Sequence, residues 1–311
     1  MTTPDDITAQ GASALSAAIR ARTLSCREAM QAYLARIHRL NPRLNAIVNL
    51  APDDELLQQA DARDAELARG ERRGWLHGMP QAIKDTGHAI GFPTTHGSPL
   101  HKDAVATQDS LMTARMKAAG CIVIGKTNMP EFGLGSHTFN TLFGATCNAW
   151  DASVSAGGSS GGAAVALAQR LLPVADGSDF MGSLRNPAAW NNVFGLRPSQ
   201  GRVPFWPASD VWMSQLGTEG PMARSVADLT HLLAIQAGHD ARVPLSISER
   251  FDAPVFDGST SALKGLRIGW LGDLGGHLAL ESGIAALCEQ ALLRCQSEGA
   301  QVEALKPGFD A

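Results

Sequence analysis

Residues 155–162 read Ser-Ala-Gly-Gly-Ser-Ser-Gly-Gly, and residues 177–187 read Gly-Ser-Asp-Phe-Met-Gly-Ser-Leu-Arg-Asn-Pro. Each segment contains a serine beside glycine, Ser159 in the first and Ser183 in the second. The residues between the two segments predict a helix of small residues followed by a short apolar strand. Glycine neighbours let a ligand approach a serine closely, and the adjacent amides can point at that ligand. This pattern is typical of a nucleophilic serine.

The glycine run at 157–162 has three interpretations: a flexible linker, a phosphate-binding loop, or a catalytic or structural turn. A Gly/Ser linker is polar on both sides, whereas the apolar segment Ala163–Ala168 follows at once and favours a helix. A phosphate-binding loop needs Gly-Lys-Ser/Thr where its helix starts, and this run contains no lysine. A glycine turn, either catalytic or purely structural, is what remains.

A base must accompany the serine, because a serine hydroxyl is a poor nucleophile until another group takes its proton. The nine histidines are scattered and form no recognisable arrangement with a serine and a carboxylate. Lys84 is the other candidate, since it ends a predicted apolar strand that starts at Met79. Most lysines are solvated surface charges, so the residues alone leave the role of Lys84 open.

Five segments, in their order along the chain, closely resemble the amidase signature family. They are Gly-x-Pro-x-x-Ile-Lys-Asp at 78–85, Gly-Lys-Thr-Asn-Met-Pro-Glu-Phe at 125–132, Gly-Gly-Ser-Ser-Gly-Gly at 157–162, Gly-Ser-Asp-x-x-Gly-Ser-x-Arg-x-Pro at 177–187, and Gly-Leu-Arg-Pro-Ser-Gln-Gly-Arg-Val at 195–203. The resemblance extends from the N-terminal helices to about Leu233, and the spacing of the two serines matches that of the family. Five ordered motifs are far more specific than one glycine-rich match.

The resemblance implies a Ser-Ser-Lys triad, with Ser183 as nucleophile, Ser159 as the bridging serine and Lys84 as the base. Lys84 must be neutral to accept a proton, and burial would lower its pKa accordingly. Ser159 would relay the proton of Ser183 to Lys84 and later return it to the leaving amine. In the family, the peptide bond that precedes the bridging serine is cis.

The resemblance also implies an oxyanion hole made of the backbone N–H groups of Phe180, Met181, Gly182 and Ser183. The family usually has glycine at the position of Met181, and a positive φ there would strain a methionine. We expect the turn to tolerate this residue and Met181 to line the acyl pocket.

Asp179 and Arg185 flank the predicted nucleophile turn. We expect them to clamp the turn through a charge-assisted pair; the alternative is two separate surface charges. In the family, the second serine of the pair helps to hold the triad turn, so Ser160 is predicted to be a supporting residue.

Strands and helices alternate from Met79 onward, which predicts an α/β fold with helices on both faces of the sheet. The resemblance implies the amidase-signature fold with a mixed β-sheet core. We expect a single domain over residues 1–311, with N-terminal helices in 1–70, a catalytic core in 71–237, and in 238–311 a loop followed by a strand, a helix and a strand. Family members generally continue further, so we expect the usual C-terminal portion to be lacking.

Local signals predict where several elements begin and end. Ser25 starts a capping box with Glu28, and Asn41-Pro42 is expected to end that helix. Asp109 is expected to cap a helix that Gly120 ends. A strand is predicted at 172–175, and residues 238–264 are expected to form a long loop.

The composition narrows the classes of function and partner. With 44% hydrophobic and 18% charged residues, the chain is typical of a soluble globular protein with a substantial core. A net charge of −4 gives no sign of the basic surface that binds nucleic acid. Five dispersed cysteines without a CxxC pair indicate a reducing compartment, and no signal peptide or membrane span is recognisable, so we expect the cytoplasm. The sequence implies no metal and no cofactor.

These observations lead to one principal hypothesis and two alternatives. The principal hypothesis is a hydrolase that cleaves a carboxylic amide through an acyl-enzyme on Ser183. The first alternative is the glutaminase (A-type) subunit of a tRNA-dependent amidotransferase, and the second is a truncated, inactive amidase paralogue. The expected partner is a small-molecule amide, and whether the chain forms a homodimer is left open.

Overall fold

A computed structural model describes residues 3–212, 216–256, 261–306 and 308. The chain divides into two compact units, Met1–Pro254 and Val255–Ala311, and all the predicted site residues belong to the first. This division concerns compactness, and the single domain expected over residues 1–311 stays a prediction.

The α-helices and β-strands of the described residues are as follows. The α-helices are α1 (Pro4–Ala9), α2 (Ala12–Arg20), α3 (Cys26–Leu44), α4 (Asp53–Ala68), α5 (Leu111–Ala118), α6 (Gly161–Ala168), α7 (Arg185–Trp190), α8 (Val226–Gln236) and α9 (Ile284–Ser297). The strands are β1 (Ile47–Val48), β2 (Pro80–Lys84), β3 (Ile122–Thr127), β4 (Phe139–Asn140), β5 (Gly144–Ala145), β6 (Ala175–Asp179), β7 (Phe194–Gly195), β8 (Thr218–Ala223), β9 (Arg267–Trp270) and β10 (Gln301–Ala304).

Two three-stranded sheets position the predicted site. In the first, β3 lies between β1, which is antiparallel to it, and β2, which is parallel to it. In the second, β8 lies between β6 and β7 and is antiparallel to both. Strand β2 contacts strand β6 of the second sheet through Asp176. The Lys84 N–H and the Gln81 side-chain amide donate to the Asp176 carboxylate at 3.0 and 3.2 Å. The mixed strand directions agree with the predicted fold class.

The capping box of α3 is confirmed, but the predicted end of this helix is wrong. Ser25 accepts a hydrogen bond from the Glu28 N–H, and the Glu28 carboxylate accepts one from the Ser25 N–H. Pro42 lies inside the helix, which continues to Leu44 before Asn45 adopts a left-handed φ of 53°. The Asn45 N–H still bonds to the carbonyl of residue 41, so the last turn of α3 forms despite the proline.

Two further boundaries differ from the prediction. Strand β6 begins at Ala175, so the strand predicted at 172–175 is wrong except for its last residue. The prediction missed the rest of β6 because polar side chains occupy it. The N-cap of α5 is Ser110 rather than Asp109; the Asp109 carboxylate instead accepts from the Lys117 ammonium at 2.6 Å.

Helix α6 is apolar on all sides, and its residues 161–167 are buried, as expected of a helix enclosed by a core. Gly162 is the point of closest approach. A Cβ added to Gly162 would lie 2.5–2.6 Å from backbone atoms of Asn128 and Ala46. This contact places the start of α6, and the serines before it, directly beside the end of β3.

The second compact unit contains a parallel pair of strands, β9 and β10, with α9 between them in sequence. This confirms the strand, helix and strand predicted after the loop. Residues 238–256 contain no regular element, in agreement with the predicted loop, whereas 257–260 lie outside the described residues. Among the described residues, no helix combines the length and the apolar character that crossing a bilayer requires.

Gly162→Ala is expected to destabilise the protein, although alanine usually favours a helix over glycine. The added methyl group would meet backbone atoms at 2.5–2.6 Å, and rigid backbone cannot give way as a side chain can, so we expect a loss of more than about 2 kcal/mol. Gly70→Ala is the control, because the space around Gly70 is open. Its φ of +80° is the only obstacle to a side chain there, and we expect it to cost about 1–2 kcal/mol. Urea unfolding of the three proteins measures both losses, and a Gly162→Ala variant as stable as the parent would contradict the close approach.

Candidate active site

Lys84 is the last residue of β2, and its side chain is 1% exposed. The Lys84 Nζ atom lies 2.8 Å from Ser159 Oγ, 2.9 Å from Ser160 Oγ and 2.9 Å from Ser178 Oγ. None of these three partners carries a negative charge. The structure therefore brings the predicted base and bridging serine into direct hydrogen-bond contact.

The electrostatic environment of Lys84 favours its neutral form. Burial lowers the pKa of Lys84 to about 7, because the ammonium loses its hydration inside the protein. Asp176, Asp179 and Glu219 act in the opposite direction, through their negative charge, without restoring the ordinary value. A substantial fraction of Lys84 is therefore able to accept a proton near neutral pH.

Ser160 links Lys84 to strand β6. Its Oγ lies 3.3 Å from the Ser178 carbonyl oxygen, to which it donates, and it accepts from the Ser178 N–H at 3.3 Å. Because the Ser160 hydroxyl proton is directed at that carbonyl, the Lys84 amine is the donor in the contact between Lys84 and Ser160. The peptide bond between Gly158 and Ser159, just before this segment, is cis.

Ser183 is half-buried and lies on the turn between β6 and α7. Its carbonyl oxygen accepts from the Ser160 N–H at 3.1 Å, so the turn packs against the segment that carries Ser159. The positive φ of this turn is at Gly182, at 114°, and not at Met181. Methionine therefore occupies its position without backbone strain, as expected, and its side chain is 81% exposed.

The Asp179 carboxylate holds the turn together. It accepts from the Gly182 N–H at 2.8 Å and the Leu184 N–H at 3.0 Å. The Arg185 guanidinium donates to both oxygens of Asp179 at 3.0 and 3.1 Å, forming the expected pair. Arg197 makes a second ion pair with Asp179 at 3.4 Å. One carboxylate thus fixes both ends of the predicted nucleophile turn.

These contacts also decide the charge of Asp179. Burial by itself would raise the pKa of this carboxyl, but hydrogen bonds from Arg185, Gly182 and Leu184 outweigh burial and lower the pKa to about 2. Asp179 is consequently ionised throughout the neutral range.

The four amides predicted to form an oxyanion hole are not equivalent. The Gly182 N–H donates to Asp179 Oδ1, so the prediction that this amide faces an oxyanion does not fit the arrangement. The amides of Phe180, Met181 and Ser183 donate no hydrogen bond to any acceptor within the described parts of the chain. Three of the four predicted donors are thus available for a ligand.

Sequence reasoning missed four polar residues around the site: Asp176, Ser178, Arg197 and Glu219. Asp176 and Ser178 alternate along β6 and therefore share a face of the strand, a relation that follows only once the strand is placed at Ala175–Asp179. Arg197 lies in a recognised motif, but nothing in the sequence indicated its contact with Asp179.

The part of the chain that the structure describes contains no group of three or more histidine, cysteine, aspartate or glutamate side chains placed to hold a metal ion.

Comparison with known proteins identifies the family. A family model described as Amidase matches residues 28–308, and the chain belongs to this family, the amidase signature family. The chain is 39% identical over 310 residues to the A-type subunit of the glutamyl-tRNA(Gln) amidotransferase of Acidothermus cellulolyticus, covering 98% of the chain and 60% of that protein. It is 38% identical over 297 residues to an acylamidase of Rhodococcus erythropolis, covering 95% of the chain and 61% of that protein.

Solved structures carry the same fold. A bacterial aryl acylamidase of the amidase signature family superposes with a TM-score of 0.90 at 32% identity, over 97% of this chain and 62% of that one. The amidase-signature fold predicted from the five motifs is confirmed. The chain spans about 60% of the length of these relatives.

Asp179→Asn should reduce stability in a pH-dependent manner. The folded pKa of about 2 lies below the ordinary value of 3.8, so the ionised carboxylate stabilises the fold above about pH 4, and this stabilisation is lost as the pH falls through about 2. We expect the parent to exceed the variant by about 1–2 kcal/mol at neutral pH, and the difference to shrink in acid.

Urea unfolding of both proteins at neutral and acidic pH measures this difference. Asp61→Asn is the matched control, because Asp61 is 52% exposed and pairs with Arg27 at the surface, where such pairs contribute about 0–1 kcal/mol. A difference for Asp179→Asn that is independent of pH would contradict the proposed charge state.

Proposed function

We propose that the chain is a serine amidase that cleaves the C–N bond of a small carboxylic amide. In this mechanism, Ser183 Oγ attacks the carbonyl carbon, the C–N bond breaks, and an amine or ammonia leaves. Water then hydrolyses the ester formed on Ser183 and releases the carboxylic acid. Family membership supports the reaction class, and the contact of a buried Lys84 with Ser159 at 2.8 Å is the observation that carries the mechanism.

The proton follows the predicted triad. As Ser183 attacks, its hydroxyl proton passes to Ser159 Oγ, whose own proton passes to the lone pair of the Lys84 amine. When the C–N bond breaks, the Lys84 ammonium returns a proton to Ser159 Oγ, and the hydroxyl proton of Ser159 passes to the leaving nitrogen. Deacylation repeats the cycle with water in place of Ser183, so Lys84 ends each half-reaction neutral.

The hydroxyl groups around Lys84 support this direction of transfer. A neutral amine has two N–H donors and one lone pair. Ser160 directs its own proton to the Ser178 carbonyl, so its Oγ accepts a hydrogen bond from one N–H of the amine. Ser178 Oγ, at 2.9 Å, is an acceptor for the other N–H. The lone pair is then left for Ser159.

The oxyanion of the tetrahedral intermediate requires donors beside Ser183. We assign this role to the amides of Phe180, Met181 and Ser183, which donate to no described acceptor. Removing one such donor typically costs about 3–4 kcal/mol of transition-state stabilisation. Gly182, whose N–H is bonded to Asp179, instead fixes the geometry of the turn.

We also propose a reducing compartment, with the cytoplasm as the expected location. All five cysteines are free thiols, including the buried Cys26 and Cys121. Free thiols are typical of such compartments.

A fluorophosphonate probe provides the first test, because it reacts with an activated serine beside an oxyanion hole. We expect stoichiometric labelling of Ser183, located by mass spectrometry, and no labelling of Ser183→Ala. Ser155→Ala is a matched control, since Ser155 bonds to the exposed His137 and lies outside the triad, and it should label as the parent does. Absence of labelling in folded protein would instead support the inactive paralogue.

The pH dependence of kcat/KM tests the base. Lys84 accepts a proton only when it is neutral, so kcat/KM should rise with pH and level off above the pKa of about 7. Lys84→Ala should lower kcat/KM by about 10³-fold. Lys102→Ala, which changes a lysine that is 60% exposed, should leave both the rate and the profile unchanged. A Lys84→Ala variant with near-parental activity would exclude the triad.

The second candidate function is the glutaminase (A-type) subunit of a tRNA-dependent amidotransferase. The 39% identity to the A-type subunit of a glutamyl-tRNA(Gln) amidotransferase over 98% of this chain favours it. Both candidates use the same triad, so the substrate distinguishes them. Ammonia release from glutamine that depends on partner proteins would favour the amidotransferase, whereas hydrolysis of simple amides by the chain alone would favour the amidase.

A further inference from the structure

A cavity of about 160 Å³ lies next to Lys84. Its lining includes the half-buried Thr86, which follows the catalytic strand β2 by two residues, and Ser178. The aromatic ring of Phe205 and the segment 217–219 complete the lining. Since Ser178 Oγ is 2.9 Å from Lys84 Nζ, the cavity is one side chain away from the proposed base.

Glu219 extends into this lining from the central strand β8. It lies directly opposite Ser178 of β6 in the antiparallel register, and opposite residues of such a pair project from the same face of a sheet. The side chain of Glu219 is therefore on the same face as Ser178, whose hydroxyl contacts Lys84. Glu219 is nevertheless 3% exposed.

Glu219 is an incompletely satisfied acid. Its Oε2 atom is buried and has no hydrogen-bond partner in the part of the chain that the structure describes. Burial, and then the charge of Asp176, raise the pKa of Glu219 to about 8, while Lys84 opposes this shift. A buried carboxyl oxygen without a partner is costly. A donor on a ligand in the cavity would supply a partner for the Glu219 carboxyl group.

The surrounding charges indicate which ligand would do so. The proposed mechanism needs Lys84 neutral, and Arg185 and Arg197 are both engaged with Asp179. An ionised Glu219 then has no protein cation in contact among the described residues. An ammonium group has three donors and would find acceptors in Glu219 and in the hydroxyls of Thr86 and Ser178.

We propose that this cavity is a subsite for an ammonium group, so that the preferred substrates are small amides that carry a primary amine. Glu219 binds the ammonium, and Phe205 contacts the methylene groups that connect it to the amide. The subsite deepens the proposed amidase function and rests on it for the reaction, whereas the binding of the ammonium can be measured separately.

The first experiment compares two p-nitroanilides of equal length. In 4-aminobutanoyl p-nitroanilide the chain ends in an ammonium, and in pentanoyl p-nitroanilide a methyl group replaces it. Measurements are made at about pH 8.5, where a primary ammonium is still charged. We expect the parent to favour the ammonium substrate by about 10- to 100-fold in kcat/KM, as for a charged hydrogen bond.

Glu219→Gln keeps the size of the side chain and removes its charge. This variant should lose the preference, mainly through a higher KM for the ammonium substrate. Glu55→Gln removes an exposed carboxylate from the first turn of α4 and should keep the preference. Equal use of both substrates by the parent, or an unchanged preference in Glu219→Gln, would overturn the subsite.

A binding measurement separates the subsite from the reaction. Calorimetry with Ser183→Ala, with and without Glu219→Gln, compares 4-aminobutanamide with pentanamide. Selective binding of 4-aminobutanamide that needs Glu219, in a parent that hydrolyses neither anilide, would refute the proposed function and retain the subsite. Hydrolysis of both anilides without ammonium selectivity in rate or binding would refute the subsite and retain the function. No hydrolysis and no selective binding would refute both.

Discussion

The burial of the Lys84 amine among uncharged hydroxyls is the constraint on which the site depends. An isolated ammonium inside a protein is costly unless it is paired or becomes neutral. Here the three nearest partners are Ser159, Ser160 and Ser178. The carboxyl group of Asp176, on strand β6, accepts from the backbone N–H of Lys84 and not from its side-chain amine. Strand β2 is thereby held by a hydrogen bond to Asp176, while the amine is left among groups that tolerate its neutral form.

The site separates two kinds of carboxyl. Asp179 is surrounded by donors, with Arg185, Arg197 and two backbone amides, and stays ionised as the support of the turn. Asp176 and Glu219 are buried, and burial raises the pKa of each. The environment of each acid, rather than its chemical type, sets its charge. Negative charge is fixed at Asp179, where it holds the turn, whereas burial favours the neutral forms of Asp176 and Glu219.

The sequence predicted the parts of this arrangement that local rules govern. The capping box of α3, the helix after the glycine run and the fold class are all confirmed, and Ser159, named for the triad, lies in hydrogen-bond contact with Lys84. The missed features depend on three-dimensional contacts. Strand β6 was misplaced because Asp176 and Ser178 interrupt its apolar pattern. Both side chains contact Lys84 of β2, and this contact is not visible in the local sequence. No sequence pattern marks Arg197 or Glu219 as a site residue, because each lies beside the site only once the second sheet has formed.

The contacts of Lys84 also join segments that are remote in the chain. Its partners Ser159 and Ser178 lie 75 and 94 residues further on, and they come from the loop before α6 and from β6. Closing loops of this length brings these groups together only when the strands and the buried helix have assembled. On the proposed mechanism, a stoichiometric titration of reactive Ser183 is therefore a count of correctly assembled molecules in a preparation. A far-ultraviolet spectrum, which reports helices wherever they form, cannot supply that count.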